Sequence, residues 1–397
     1  MTAEKLLGEI AGIGRSPATG GYRRFAWTRE DSDLREWFRG QAEARGLTVT
    51  EDRVGNQWAW WGDPDAAARA GRPGVVTGSH LDSVPDGGNF DGPLGVVSAL
   101  LAVEELRRAG FVPARPIGVA NFVDEEGARF GVACGGSRLL TGALPRERAL
   151  ALTDTDGVSM AEALSRAGRD PGAIGPDPET LARIGTFVEL HVEQGRYLGD
   201  TDAPVAVASS IWPHGRWRFD FAGEANHAGT TGFADRDDPA LKLATLILKA
   251  REVATELGCV ATVGKMRVHP NGVNAIPSEV TGWLDGRGPD EDAVRRLVPR
   301  LEDELGTSAT AESFTPNTEF DPALAQELSS LLGDVPIIGT GAGHDAGVLA
   351  AHGVSSAMLF VRNPTGVSHS PAEHAEADDC EAGVAALATV LRSLATQ

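Results

Sequence analysis

At 397 residues the chain is longer than one ordinary hydrophobic core supports, so two domains are expected. A formal net charge of −20, with no basic stretch, leaves nothing to neutralise phosphates and excludes a nucleic-acid partner. Three cysteines, far apart and without a CxxC, exclude a disulfide framework and a thiolate zinc site.

The opening MTAEKLLGEIAGIG lacks a charged segment followed by a long apolar run, so no signal peptide is expected. No stretch of about 18 apolar residues exists, so no membrane span is expected either, and a cytoplasmic location is the default. Residues 30–46 read as a helix, with Leu34, Trp37 and Phe38 on one side and Gly46 as its stop. PGVVTGSH (73–80) reads as a buried strand, and LGVVSALLAVEELRRAG (94–110) as a helix entered by Pro93 and ended by Gly110. IGVANFVDEEG (117–127) is a strand that runs into acids. FVELHVEQG (187–195) sets Val188, Leu190 and Val192 against Glu189, His191 and Glu193. An Ala/Gly/Pro-rich stretch at 165–177 reads as a surface loop.

The middle of the chain differs. RWRFDF (216–221) alternates Trp217, Phe219 and Phe221 with Arg216, Arg218 and Asp220, which gives a strand one apolar face. A helix follows from Pro239 to Leu257, capped by Asp238 and ended by Gly258. Strands near 260–268 and 279–286, a helix near 291–304 and a strand near 308–314 complete a β-α-β-β-α-β order, the ferredoxin-like arrangement. The strand SAMLFV (356–361) and the helix 381–395 then resume the earlier strand–helix alternation. That alternation indicates an α/β domain with a largely parallel sheet, interrupted by the middle block.

Four buried runs end abruptly in metal-type ligands, and ligands at the carboxyl ends of strands converge on one crevice. In GSHLDSVPDGGNFDGPLG (78–95), His80 can ligate and Asp82 can hold its other ring nitrogen. Asp91 follows just ahead of a helix N-terminus, where negative charge is favoured. Glu125 and Glu126 are adjacent acids at a strand end, so one can ligate while the other handles protons. His191 lies on the polar phase of its strand, and Gln194 beyond it could donate to a substrate carbonyl. His369 follows the last strand within NPTGVSHSPAEHA (363–375), with His344, His352 and His374 as competitors nearby. GTGAGHDAG (339–347) lacks GxGxxG spacing after a first strand, which rejects a dinucleotide site. Cys134 reads as a small buried residue without an activating partner.

Together these strings resemble the amidohydrolase branch of the aminoacylase and carboxypeptidase-type dinuclear metallopeptidase superfamily. Within it they are most similar to N-carbamoyl-L-amino-acid hydrolases and allantoate amidohydrolases. The likeness runs from DRVGN (52–56) to GVSHSPAEH (366–374) and comprises five motifs in order. It implies a catalytic domain of residues 1–210 and 326–397, with a mixed, mostly parallel sheet and helices on both faces. The ferredoxin-like block at 211–325 would be an inserted lid and dimerisation domain. Two divalent ions are implied: His80 and His191 resemble the ligands of one, Glu126 and His369 those of the other, and Asp91 the bridge. Zinc, manganese, cobalt or nickel would suit such oxygen and nitrogen donors.

Glu125 resembles the general base, with Asp82 as its catalytic-site companion. His227, in GEANHAGTT (223–231), matches a histidine that steadies the oxyanion in a partner subunit's site, so a homodimer is implied. Gln194, Arg216, Asn274 and Arg287 match positions that hold the polar ends of a small ureido or amide substrate bearing a carboxylate. The expected activity is hydrolysis of a non-peptide C–N bond. Aminoacylase or dipeptidase activity on the same metals, and a non-catalytic small-molecule binder, are the alternatives. One departure stands out: WPHGRWRF (212–219) replaces the family's glutamine-arginine-arginine string, which leaves the substrate open rather than the reaction type.

Overall fold

The computed structural model describes residues 1–396. Its main sheet has nine strands, seven of which run, in spatial order, Thr48–Glu51, Gln57–Trp61, Ile117–Phe122, Gly74–His80, Ile184–Val192, Ser355–Val361 and Val205–Ile211. The four strands from Ile117–Phe122 to Ser355–Val361 are parallel. The pairs outside them, Gln57–Trp61 with Ile117–Phe122 and Val205–Ile211 with Ser355–Val361, are antiparallel. The sheet is therefore mixed, with a parallel centre flanked by antiparallel pairs.

Strand Gly74–His80 lies between Ile117–Phe122 and Ile184–Val192, so the chain winds away from it in both directions. Such a reversal opens a crevice beyond the carboxyl ends of the parallel strands. All four ligand-bearing motifs leave the sheet at that edge.

Helix Pro93–Arg108 packs on the sheet and against helices Ala377–Thr396 and Ala3–Ile10, which is why it is buried on nearly every side. A Cβ at Gly95 would sit 2.2 Å from the Leu190 carbonyl oxygen, so glycine is what lets helix and strand approach so closely. Val188, Leu190 and Val192 join this core. The alternation in FVELHVEQG sets polar against apolar residues, and every residue from Thr186 to Val192 is buried. Central parallel strands are covered on both sides. Glu189 faces the short helix Asp345–Ala351, whose Ala346 N–H it accepts at 3.0 Å.

A second compact unit spans Ile211–Thr318. Its antiparallel sheet has the order Thr310–Thr315, His214–Ala222, Glu279–Arg287, Val260–His269, with helices Pro239–Leu257 and Glu291–Leu305 in the β-α-β-β-α-β chain order. Trp217, Phe219 and Phe221 meet Leu243, Leu246 and Leu297 in its core. Asp238 caps the first helix by accepting the Ala240 N–H, and Gly258, at φ 71°, ends it. The chain rejoins the first unit at Glu319, earlier than residue 326. There the Phe320 N–H donates to the Ser209 carbonyl at 3.1 Å, and Leu324 and Leu328 enter the first unit's core. No helix among the described residues is long and apolar enough to cross a membrane.

Candidate active site

The turn that carries Glu125 and Glu126 is held from beneath. Asp52 accepts the N–H groups of Val54, Gly55 and Asn56, and side-chain N–H groups of Asn56 and Trp58. Asn56 in turn accepts the Val123 N–H at 3.0 Å, which anchors the end of the strand just before the acids. Asp124 then turns with φ 56°, a left-handed conformation that redirects the chain. Asp82 receives the next two amides, from Glu125 at 3.2 Å and from Glu126 at 3.1 Å. The DRVGN string and Asp82 thus fix where the two glutamates point.

Asp91 occupies the centre. Its Oδ1 lies 3.6 Å from His80 Nε2 and 3.2 Å from His191 Nε2, while its Oδ2 lies 3.4 Å from His369 Nε2. His369 Nε2 is also 3.7 Å from Glu126 Oε2. Two ligand sets sharing one carboxylate result: His80, Asp91 and His191, and Asp91, Glu126 and His369, the donor atoms of each within 4.8 Å of one another. Gly92 makes the first possible. With φ 84°, it passes so close to His80 that a Cβ would fall 2.3 Å from the ring.

The donor chemistry of these residues fits divalent metal ions. His191 Nδ1 lies 2.9 Å from the Val192 carbonyl, so it spends its proton there and leaves Nε2 a lone pair. That buried Nε2 has no hydrogen-bond partner, and neither has His80 Nε2. Both face an oxygen of Asp91, acceptor against acceptor, an arrangement that a cation between them relieves. The hydrogen bond to Asp91 lifts His369 to about 9, and burial with Asp91 nearby lifts Glu126 to about 7.

Glu125 is buried beside this pair, with Oε2 3.7 Å from His80 Nε2. Burial, then the neighbouring acids Asp345, Glu126 and Asp82, push its carboxyl well above the ordinary range against the pull of His80. A buried carboxyl raised in this way has the chemistry of a group suited to proton transfer. Gln194 Nε2 donates to Asp91 Oδ2 at 2.9 Å.

Several residues here had no role in the sequence reading. Glu373 accepts the N–H groups of Phe90 at 2.8 Å and Asp91 at 3.0 Å, and Ser368 donates to Asp91 Oδ2 at 3.1 Å. Both lie within the SHSPAE string beside His369, a signal that was available. Cys134 is buried as expected, and its thiol donates to Glu125 Oε1 at 3.3 Å; burial and that acid both raise the thiol's pKa, so the contact does not activate it. His344 stacks obliquely on His191, with ring centroids 4.5 Å apart, and burial holds it neutral, well below its ordinary pKa.

The remaining expected site residues belong to the second unit. His227 is exposed on a short strand, and its Nδ1 accepts the Gly229 N–H at 3.1 Å. Asn274 presents its carbonyl to the Ala228 N–H at 2.9 Å, next to the pairing of Ala275 with His227. Arg216 and Arg287 both contact Asp285, through Nε at 3.5 Å and 2.6 Å respectively.

Comparison with known proteins agrees with this geometry. The model of peptidase family M20/M25/M40 matches residues 76–393. The chain is 37% identical over 400 residues to N-carbamoyl-L-amino acid amidohydrolase of Geobacillus stearothermophilus, covering 96% of this chain and 95% of the relative. It is 30% identical over 411 residues to allantoate amidohydrolase of Escherichia coli (strain K12), covering 99% and 98%. A crystal structure of AtUAH in complex with (S)-hydroxyglycine superposes with a TM-score of 0.85 at 28% identity, over 99% of this chain and 97% of that one.

Proposed function

Since the chain belongs to peptidase family M20/M25/M40, we propose that it is an amidohydrolase that cleaves the C–N bond of an N-carbamoyl (ureido) substrate. An N-carbamoyl-L-amino acid or allantoate is the substrate class, in keeping with the named relatives. The observation that carries the reading is Asp91, whose two oxygens each face a separate set of ligands.

In this reading His80, His191 and Asp91 hold one divalent ion, and Asp91, Glu126 and His369 the other. Zinc, manganese, cobalt and nickel all suit the donors. When bound, such ions supply acidified water and polarisation of the scissile carbonyl. Glu125 accepts the proton of the attacking water and returns it to the leaving nitrogen. From a ureido group the products are the amine, carbon dioxide and ammonia. Asp82 acts by positioning, since it grips both glutamate amides. Gln194 acts on Asp91 first and on substrate second.

The second unit, Ile211–Thr318, serves as lid and dimerisation domain. His227 steadies the developing oxyanion. Because its Nδ1 accepts a hydrogen bond, its Nε2 carries the proton and is a donor, as that task requires. Arg287, with Arg216 and Asn274, holds the substrate's carboxylate as a planar fork. A homodimer is supported by Leu241 and Leu248, 68% and 72% exposed and seven residues apart on one helix, beside the edge strand Val260–His269.

The deciding experiment is ammonia release across N-carbamoyl amino acids, allantoate and dipeptides with divalent metal present. Ammonia from ureido substrates is expected. Turnover of dipeptides or N-acyl amino acids alone would assign the protein to the aminoacylase or dipeptidase class instead.

A further inference from the structure

Arg216 and Arg287 do not stand alone on their sheet. In the pairing of His214–Ala222 with Glu279–Arg287, Asp285 lies opposite Arg216, and Arg287 opposite His214. Opposed residues share a face, so all four side chains project from the same side. Trp217 and Leu284 point the other way, into the core. Asp285 binds both cations. Its Oδ1 lies 2.6 Å from Arg287 Nε and its Oδ2 2.9 Å from Arg287 Nη2, a two-point grip that sets the guanidinium plane. The same Oδ2 lies 3.5 Å from Arg216 Nε.

The charge of the cluster follows from its members. Two guanidiniums and one carboxylate leave a single positive charge. Burial, and then the two arginines, keep His214 below its ordinary pKa and so uncharged near neutrality. Arg287 and Arg216 likewise keep the Asp285 carboxyl ionised against its burial. The next cation along the face, Arg218, is matched by Asp220 at 2.8 Å and adds nothing.

We propose that Asp285 determines substrate charge: it trims a two-arginine cradle to one net positive charge, which admits a monocarboxylate and disfavours a substrate with a second anionic group. The inference rests on the reading of Arg287 as the carboxylate anchor. Without Asp285 the cradle carries two charges and tolerates a dianion, and the Arg287 plane is no longer set.

N-carbamoyl-L-glutamine and N-carbamoyl-L-glutamate test this, being nearly isosteric and differing by one negative charge. KM, or Ki against the best substrate where turnover is slow, is measured for both with the metal-loaded protein. The parent should favour the glutamine derivative, and Asp285→Asn should shrink that preference about tenfold. Asp285→Glu, which retains the charge, should keep it. Asp285→Ser repeats the measurement if the asparagine variant does not fold, as read by circular dichroism. An unchanged preference in the folded neutral variant, while Arg287→Ala raises KM for both compounds, overturns the role of Asp285 and leaves the anchor standing. Unchanged KM in Arg287→Ala overturns the anchor, and this inference with it.

Discussion

Glu373 accepts the backbone N–H of Asp91 at 3.0 Å, linking residues 282 positions apart in the chain. A carboxylate is thereby used to aim another carboxylate, without touching either histidine of the first ligand set. Partners of this kind typically govern metal affinity by about 10–100-fold. Glu373→Ala is therefore expected to weaken divalent-metal binding by about that factor, measured by competition with a chelator. Affinity equal to the parent's would show that Asp91 is positioned by other means.

Glu125 and Cys134 form a second testable pair. Glu125→Gln should retain both ions and lose turnover by about 10²–10⁴-fold, the usual contribution of a general base. Metal content and ammonia release separate the two effects. Cys134→Ala removes one hydrogen bond to the base and should cost about 3- to 10-fold in kcat, with Cys134→Ser restoring most of it. If alanine and serine behave alike, the thiol fills space and does not orient Glu125.

Glu51 offers a pH-dependent prediction outside the site. It meets Arg35 at 3.1 Å, Arg39 at 3.1 Å and Arg169 at 2.6 Å. Burial would raise its carboxyl, but Arg35 and Arg169 override that and depress it. A depressed acid stabilises the fold above its unfolded pKa and loses that contribution as pH falls through the folded value. Glu51→Gln should thus lower stability by about 1–2 kcal/mol at pH 7. In denaturant titrations the deficit should fade below about pH 4. A deficit constant across that range would mean that shape, and not charge, is responsible.

His227 tests the assembly. His227→Ala should cripple turnover, and so should Glu125→Gln. Mixing the two variants under conditions that exchange subunits should recover part of the activity, because one site of the mixed dimer receives both intact residues. No recovery, with subunit exchange verified by mass, would mean that each subunit works alone.

Much was legible in the chain itself. Local chemistry announced the helix between Asp238 and Gly258 and the strand Gly74–His80, because caps, glycine stops and apolar runs act within a few residues. The ligand motifs could be found for the same reason, each lying at or beyond the carboxyl end of an apolar strand. The alternation around His191 reports two faces but not what covers them, and in the fold both are buried.

Sequence by itself determined the main strand–helix alternation and the motifs rich in metal-type donors, since both depend on neighbours along the chain. Tertiary structure alone decided that Gly74–His80 sits between its two successors, that Glu373 aims Asp91 and that Cys134 meets Glu125. It also decided that one aspartate serves two arginines. Hydrogen bonds and charge pairs between distant segments are set by packing in three dimensions, and distance along the chain leaves no periodic trace of them.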